Sequence, residues 1–168
     1  MSTAYLPPIE YFYLLIKSEA VNIEQFETYK KQTYRNRCRI YTEKGNTQLS
    51  IPVIKTFGNH TKVKDIQIFK DENWQKNHWK AITSAYQASP YFLYYMDDLS
   101  AIYQKKYKFL LDFNSDLLNI IFDNIGISIP VSLTKDFIKP LGEANDFRYL
   151  ISPKEDQLIE QYPSYMQV

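Results

Sequence analysis

The chain predicts an α/β fold, a single domain over residues 1–168 in which a mixed sheet with a β-hairpin is flanked by helices. Three patterns lead there. The opening alternates an extended run, a run of helical period and an apolar run, as at the start of a parallel sheet. Two strand-like runs then flank a turn at Gly45, the signature of a hairpin. The second half carries long stretches of helical period. An α+β arrangement, with strands and helices in segregated layers, is the alternative.

The elements follow in order. Residues 4–7 read as extended, because Pro7 and Pro8 disfavour helix in the residues before them. Residues 9–18 read as a helix with Phe12, Leu15 and Ile16 on one side. Residues 20–23 form a short apolar strand. Residues 34–41 and 48–53 are the arms of the hairpin, and residues 63–69 a further strand. Asn73 opens a helix that runs to about Ala88, where Ser89-Pro90 ends it. Residues 91–125 are helical up to the stop at Gly126, and the β-branched run 127–133 is a strand. Thr134–Val168 has weak periodicity and three prolines. On the helix from Asn73, the residues Trp74, Ile82 and Tyr86 fall on one face and are expected to point inward.

Composition excludes several classes. Aromatic residues make up 16%, with 15 Tyr and 10 Phe, which suits groove walls and interfaces as well as core. A net charge of +1 provides no field to draw in nucleic acid or an anionic membrane, so no nucleic-acid partner is expected. The single cysteine, Cys38, rules out an internal disulfide framework and fits a cytoplasmic setting. No CxxC or Cys/His cluster is present, so neither a structural zinc nor any other metal is expected. The longest apolar runs fall far short of the ~20 residues of a membrane span. The N-terminus has no signal-peptide pattern. Signatures of P-loop, Rossmann and α/β-hydrolase proteins are missing, and no bound cofactor is predicted.

The most distinctive stretch is Tyr34-Arg35-Asn36-Arg37-Cys38-Arg39-Ile40. In a strand, period two places Arg35, Arg37 and Arg39 on one face and Cys38 on the other. Three guanidiniums aimed one way can meet water, meet carboxylates such as Glu24 and Glu27, or bind an anion through their planar forks. Lys30 and Lys31 precede the row and could join it. The second signal is His78, four residues from Trp74 and from Ile82 on one helical face. There it is either a hydrogen-bonded core residue or a general acid/base. The third is the aromatic group Tyr86, Tyr91, Phe92, Tyr94 and Tyr95, either core or a stacking wall.

Four blocks in this order resemble the WbqC-like protein family: Tyr29–Ile40, then Leu49-Ser-Ile-Pro-Val, then Asn73-Trp-Gln-Lys-Asn-His-Trp-Lys-Ala-Ile, then Ser89-Pro-Tyr-Phe. Leu111-Asp-Phe-Asn and Leu117–Ile127 also fit, so the resemblance covers most of the chain. It implies a bacterial protein associated with surface-polysaccharide (O-antigen) synthesis, a transferase that attaches acyl or aminoacyl groups to an activated amino sugar. The alternative is a non-catalytic binding or assembly protein for polysaccharide enzymes. On the enzyme reading Arg35, Asn36, Arg37, Arg39 and Lys31 bind a nucleotide-linked sugar or other anionic small molecule, and His78 is catalytic. Oligomeric state is left open. Two departures stand out. The family's polar opening turn is replaced by Leu6-Pro-Pro-Ile-Glu-Tyr-Phe, where Glu10 could substitute, and the family continues beyond the equivalent of Val168 with an apolar segment.

Overall fold

Prolines decide where the strands are cut. The computed structural model describes residues 1–70, 73–139 and 146–153. After an extended N-terminal stretch come helix α1 (Ile9–Ile16), β1 (Val21–Ile23), β2 (Arg37–Thr42), β3 (Gly45–Ser50), β4 (Val53–Lys55) and β5 (Ile66–Ile68). The second half supplies α2 (Trp74–Tyr86), α3 (Phe92–Gln104), α4 (Leu110–Ile125) and β6 (Val131–Leu133). The architecture is mixed α/β, as the sequence predicts. The chain's end at Val168 lies outside the described residues.

The strands pair two by two. β2 and β3 form the expected hairpin, with Cys38 opposite Leu49 and Ile40 opposite Thr47. β4 pairs antiparallel with β5, and β1 pairs parallel with β6. The predicted strand 48–53 is divided because Pro52 has no N–H to give to a ladder. On one side of it β3 bonds β2, and on the other β4 turns to β5, so the sheet is three ribbons rather than one. Pro130 likewise trims the predicted strand 127–133 to β6, and its carbonyl accepts the Val21 N–H at 2.9 Å. Residues 63–65 form a 3-10 turn, which leaves only 66–68 of the predicted strand 63–69. Residues 4–7 form no strand: Leu6 has φ +40° before two prolines, a geometry no ladder accepts. They run through the interior instead, and Tyr5 N–H donates to the Tyr34 carbonyl at 2.8 Å.

One hydrophobic core joins these ribbons. α4 carries its largest share, with Leu110, Phe113 and Leu117 almost fully enclosed. Gly126 ends the helix at φ +70°, the left-handed cap that glycine adopts without steric cost. α2 buries Trp74, His78 and Ile82, and Tyr86 is half-buried beyond them, so the predicted inward face is present. Among the described residues no helix is long and apolar enough to cross a membrane.

Candidate functional site

The arginine row is broken at its first member. β2 begins at Arg37, because Gln32 takes φ +59° and residues 33–36 turn. Arg35 therefore points inward and is only 3% exposed. Its Nε and Nη2 donate to Glu27 Oε1 at 3.0 and 2.8 Å, Nη2 also to Ser2 Oγ at 2.7 Å, and Nη1 to Thr33 Oγ1 at 3.1 Å. Its fork is occupied by the protein itself. Asn36 is also buried, and its Nδ2 donates to the Ile51 carbonyl at 2.9 Å. Arg37 and Arg39 do share the outer face of β2, one half-buried and one exposed. The Arg37 Nε is buried with no hydrogen-bond partner among the described residues. Lys31 is exposed in the turn. The structure thus keeps Arg37 and Arg39 together and separates Arg35 and Asn36 from them.

His78 is buried among aromatic rings rather than open to a cleft. Tyr5 stacks on it at 5.6 Å, and Trp74 meets it edge-on at 5.3 Å. Burial pushes its imidazole down to about 4, although a hydrogen bond to the Ser50 backbone acts in the opposite direction. The ring is therefore neutral near pH 7. His78 Nδ1 shares a hydrogen bond with the Tyr5 hydroxyl at 2.9 Å, and the Tyr5 and Tyr103 hydroxyls share another at 2.8 Å. This chain leads from the core to Tyr103. The buried hydroxyls of Tyr5 and Tyr103 are held well above the ordinary phenol range, mainly by desolvation, so both stay protonated.

Tyr103 is one wall of a groove of about 390 Å³ between the hairpin and the α2–α3 pair. Arg39 and Ile40 line it from β2, Ile82 and Tyr86 from α2, and Tyr91, Phe92 and Tyr95 from the start of α3. The strained Leu6 closes it beside Tyr5. Backbone held at positive φ in a branched residue costs of order 1–3 kcal/mol and tends to persist at functional sites. Tyr86 is fixed by donation from the Tyr41 N–H to its hydroxyl at 3.0 Å. Sequence reasoning found Arg39, Tyr86, Tyr91, Phe92 and Tyr95 but missed Tyr5, Leu6 and Tyr103. Only the Leu6-Pro7-Pro8 run hinted at Leu6. Among the described residues no group of three His, Cys, Asp or Glu gathers where a metal would be held.

The fold and site define a small mixed α/β protein with an open aromatic groove carrying an arginine. The chain belongs to the WbqC-like protein family, whose model matches residues 3–161. It is also 31% identical over 134 residues to the uncharacterized protein Rv1507c of Mycobacterium tuberculosis. That match covers 79% of this chain and 58% of the relative, so the chain spans little more than half the relative's length. No solved structure matches.

Proposed function

We propose that this protein binds a nucleotide-linked or otherwise phosphorylated amino sugar of bacterial surface-polysaccharide (O-antigen) synthesis in the Arg39 groove. There it presents the sugar for transfer of an acyl or aminoacyl group, in the cytoplasm. The observation that carries the reading is an exposed guanidinium on the rim of a groove walled by Tyr86, Tyr91 and Tyr95. Aromatic faces suit the apolar face of a sugar ring, and a guanidinium suits its phosphate. Arg37 stands one strand period away, its buried Nε without a hydrogen-bond partner among the described residues. The role of Arg35 and Asn36 is to fix the turn that delivers these two arginines. Lys31 adds charge at the turn. His78 is a positioning residue: it holds Tyr5, which holds Tyr103 against the groove.

The test is calorimetric titration with UDP- and dTDP-linked amino sugars. A charge-assisted contact to phosphate contributes ~1.5–3 kcal/mol, so Arg39→Ala is expected to weaken binding roughly ten- to a hundred-fold. Arg37→Ala should act in the same direction, and Arg39→Lys should rescue in part. Equal binding by wild type and Arg39→Ala, or no binding of any of these sugars, overturns the reading. One observation favours a second reading, an assembly protein for polysaccharide enzymes. Tyr91, Leu93 and Tyr94 are 66%, 71% and 77% exposed beside the groove, an apolar surface of the kind that interfaces use.

A further inference from the structure

Between α4 and the β1–β6 ribbon lies a pocket of about 160 Å³ that shares no lining residue with the Arg39 groove. Its floor is buried, with Ala4, Ile23 and Leu118 as apolar members. The half-buried Ser115 and the exposed Asn119 and Ser132 stand toward its mouth. Helical period explains the gradient along α4. Residues 114 and 118 form one row and face the core, while 115 and 119 form the next row and face the opening.

Asn114 lines this pocket while being only 1% exposed. Its Nδ2 donates to the Arg35 carbonyl at 2.8 Å and to Thr3 Oγ1 at 3.1 Å. A carbonyl oxygen only accepts, so the first of these bonds fixes which end of the carboxamide is nitrogen. The other end, Oδ1, is buried and has no hydrogen-bond partner among the described residues. A buried acceptor left unmade is costly, and a donor entering from the pocket removes that cost. The surrounding floor is apolar. A ligand that meets both features carries an N–H beside a small apolar group. At the mouth, serine hydroxyls and the Asn119 amide both donate and accept, which suits the hydroxyls of a polyol. No charged residue lines the pocket among the described residues, which favours a neutral ligand.

We propose that this pocket binds the acetamido group of a neutral N-acetylated sugar. The N–H donates to Asn114 Oδ1, the methyl group packs against Ala4, Ile23 and Leu118, and ring hydroxyls meet Ser115, Asn119 and Ser132 at the mouth. Volume decides how far the ligand enters. Cavities of ~150 Å³ take a guest the size of benzene, so the acetamido group fits and the sugar ring stays at the opening. An unsubstituted sugar brings a hydroxyl to the apolar floor, and an amino sugar brings an ammonium; neither supplies the N–H and the methyl together. The site goes beyond the groove reading and does not rest on it.

The test is an NMR titration of the isotope-labelled full chain with N-acetylglucosamine, N-acetylgalactosamine and N-acetylmannosamine, alongside glucose and glucosamine. A saturable shift of the Asn114 side-chain amide is expected with at least one N-acetyl sugar, with glucose and glucosamine at least ~10-fold weaker. Variants are compared by saturation transfer to the ligand's acetamido methyl group. Ser115→Leu fills the opening and should abolish binding. Asn114→Ala removes the acceptor and should weaken binding about ten-fold or more. It also loses the bonds to Thr3 and Arg35, so circular dichroism checks its fold, and Ser115→Leu decides alone where Asn114→Ala does not fold. Three results overturn the proposal. No saturable shift with any N-acetyl sugar means that water alone meets Oδ1. Equal binding of glucose or glucosamine removes the acetamido group from the argument. Undiminished binding by Ser115→Leu puts the sugar elsewhere. None of these probes carries phosphate, so failure here leaves the groove reading standing, which is judged by nucleotide-linked sugars and Arg39→Ala.

Discussion

Replacing Glu27 by Ala isolates the role of Arg35. The guanidinium makes four donations, two of them to Glu27 Oε1, and the two side chains are 4% and 0% exposed. Glu27→Ala removes half of those bonds and leaves a buried cation with no ion-pair partner among the described residues. Stripping one partner from a buried pair costs ~3–5 kcal/mol, because the desolvated charge remains. For a chain of this size that corresponds to a melting temperature lower by roughly 6–20 °C. Removing both charges with Glu27→Leu/Arg35→Met should return stability to within ~2 kcal/mol of wild type, since well-packed apolar replacements of a buried pair are often neutral. Thermal and urea unfolding of Glu27→Leu, Arg35→Met and the double variant complete the cycle. A drop below ~2 °C for Glu27→Ala would refute the buried-pair account. Additive losses in the double variant would do the same.

Two further outcomes follow from buried groups. His78 has its folded value pushed down to about 4 from an ordinary 6.5, so the unfolded chain binds the proton more tightly. Its contribution, up to ~3 kcal/mol, is present in full above about pH 6.5 and is lost as pH falls toward 4. Unfolding free energies measured across this window should fall toward acid in wild type and lose that part of the slope in His78→Gln; an equal slope in both refutes it. Cys38 is 2% exposed and burial pushes its thiol up to about 12. It should resist a thiol-specific disulfide reagent in the native state and react, as the chain's one thiol, only on denaturation. Rapid labelling of the native protein would contradict its placement against Leu49.

Local chemistry makes much of the architecture legible in the sequence. The i, i+4 spacing of Trp74, His78 and Ile82 sets the buried face of α2, because helical geometry alone stacks those positions. Alternation and Gly45 set the hairpin, and Gly126 the end of α4. Cys38 falls on the inner face by simple pleat. What escapes are boundaries governed by a single backbone feature, such as Pro52 dividing β3 from β4 and the left-handed Gln32 starting the turn before β2. A shift of that kind turns Arg35 out of the row and into the core.

Tertiary structure decided which side chains line the groove. Two arginines four residues apart have the same chemistry, yet Arg35 meets Glu27 inside and Arg39 meets the groove outside. Tyr5 reaches His78 across 73 residues of sequence and Tyr103 across 98, and no local propensity encodes such partners. The sequence by itself determined the residue types, the helical faces and the supply of aromatic and cationic side chains. Packing determined their company, because burial, hydrogen-bond partners and local dielectric depend on contacts that form only when distant segments close on one core.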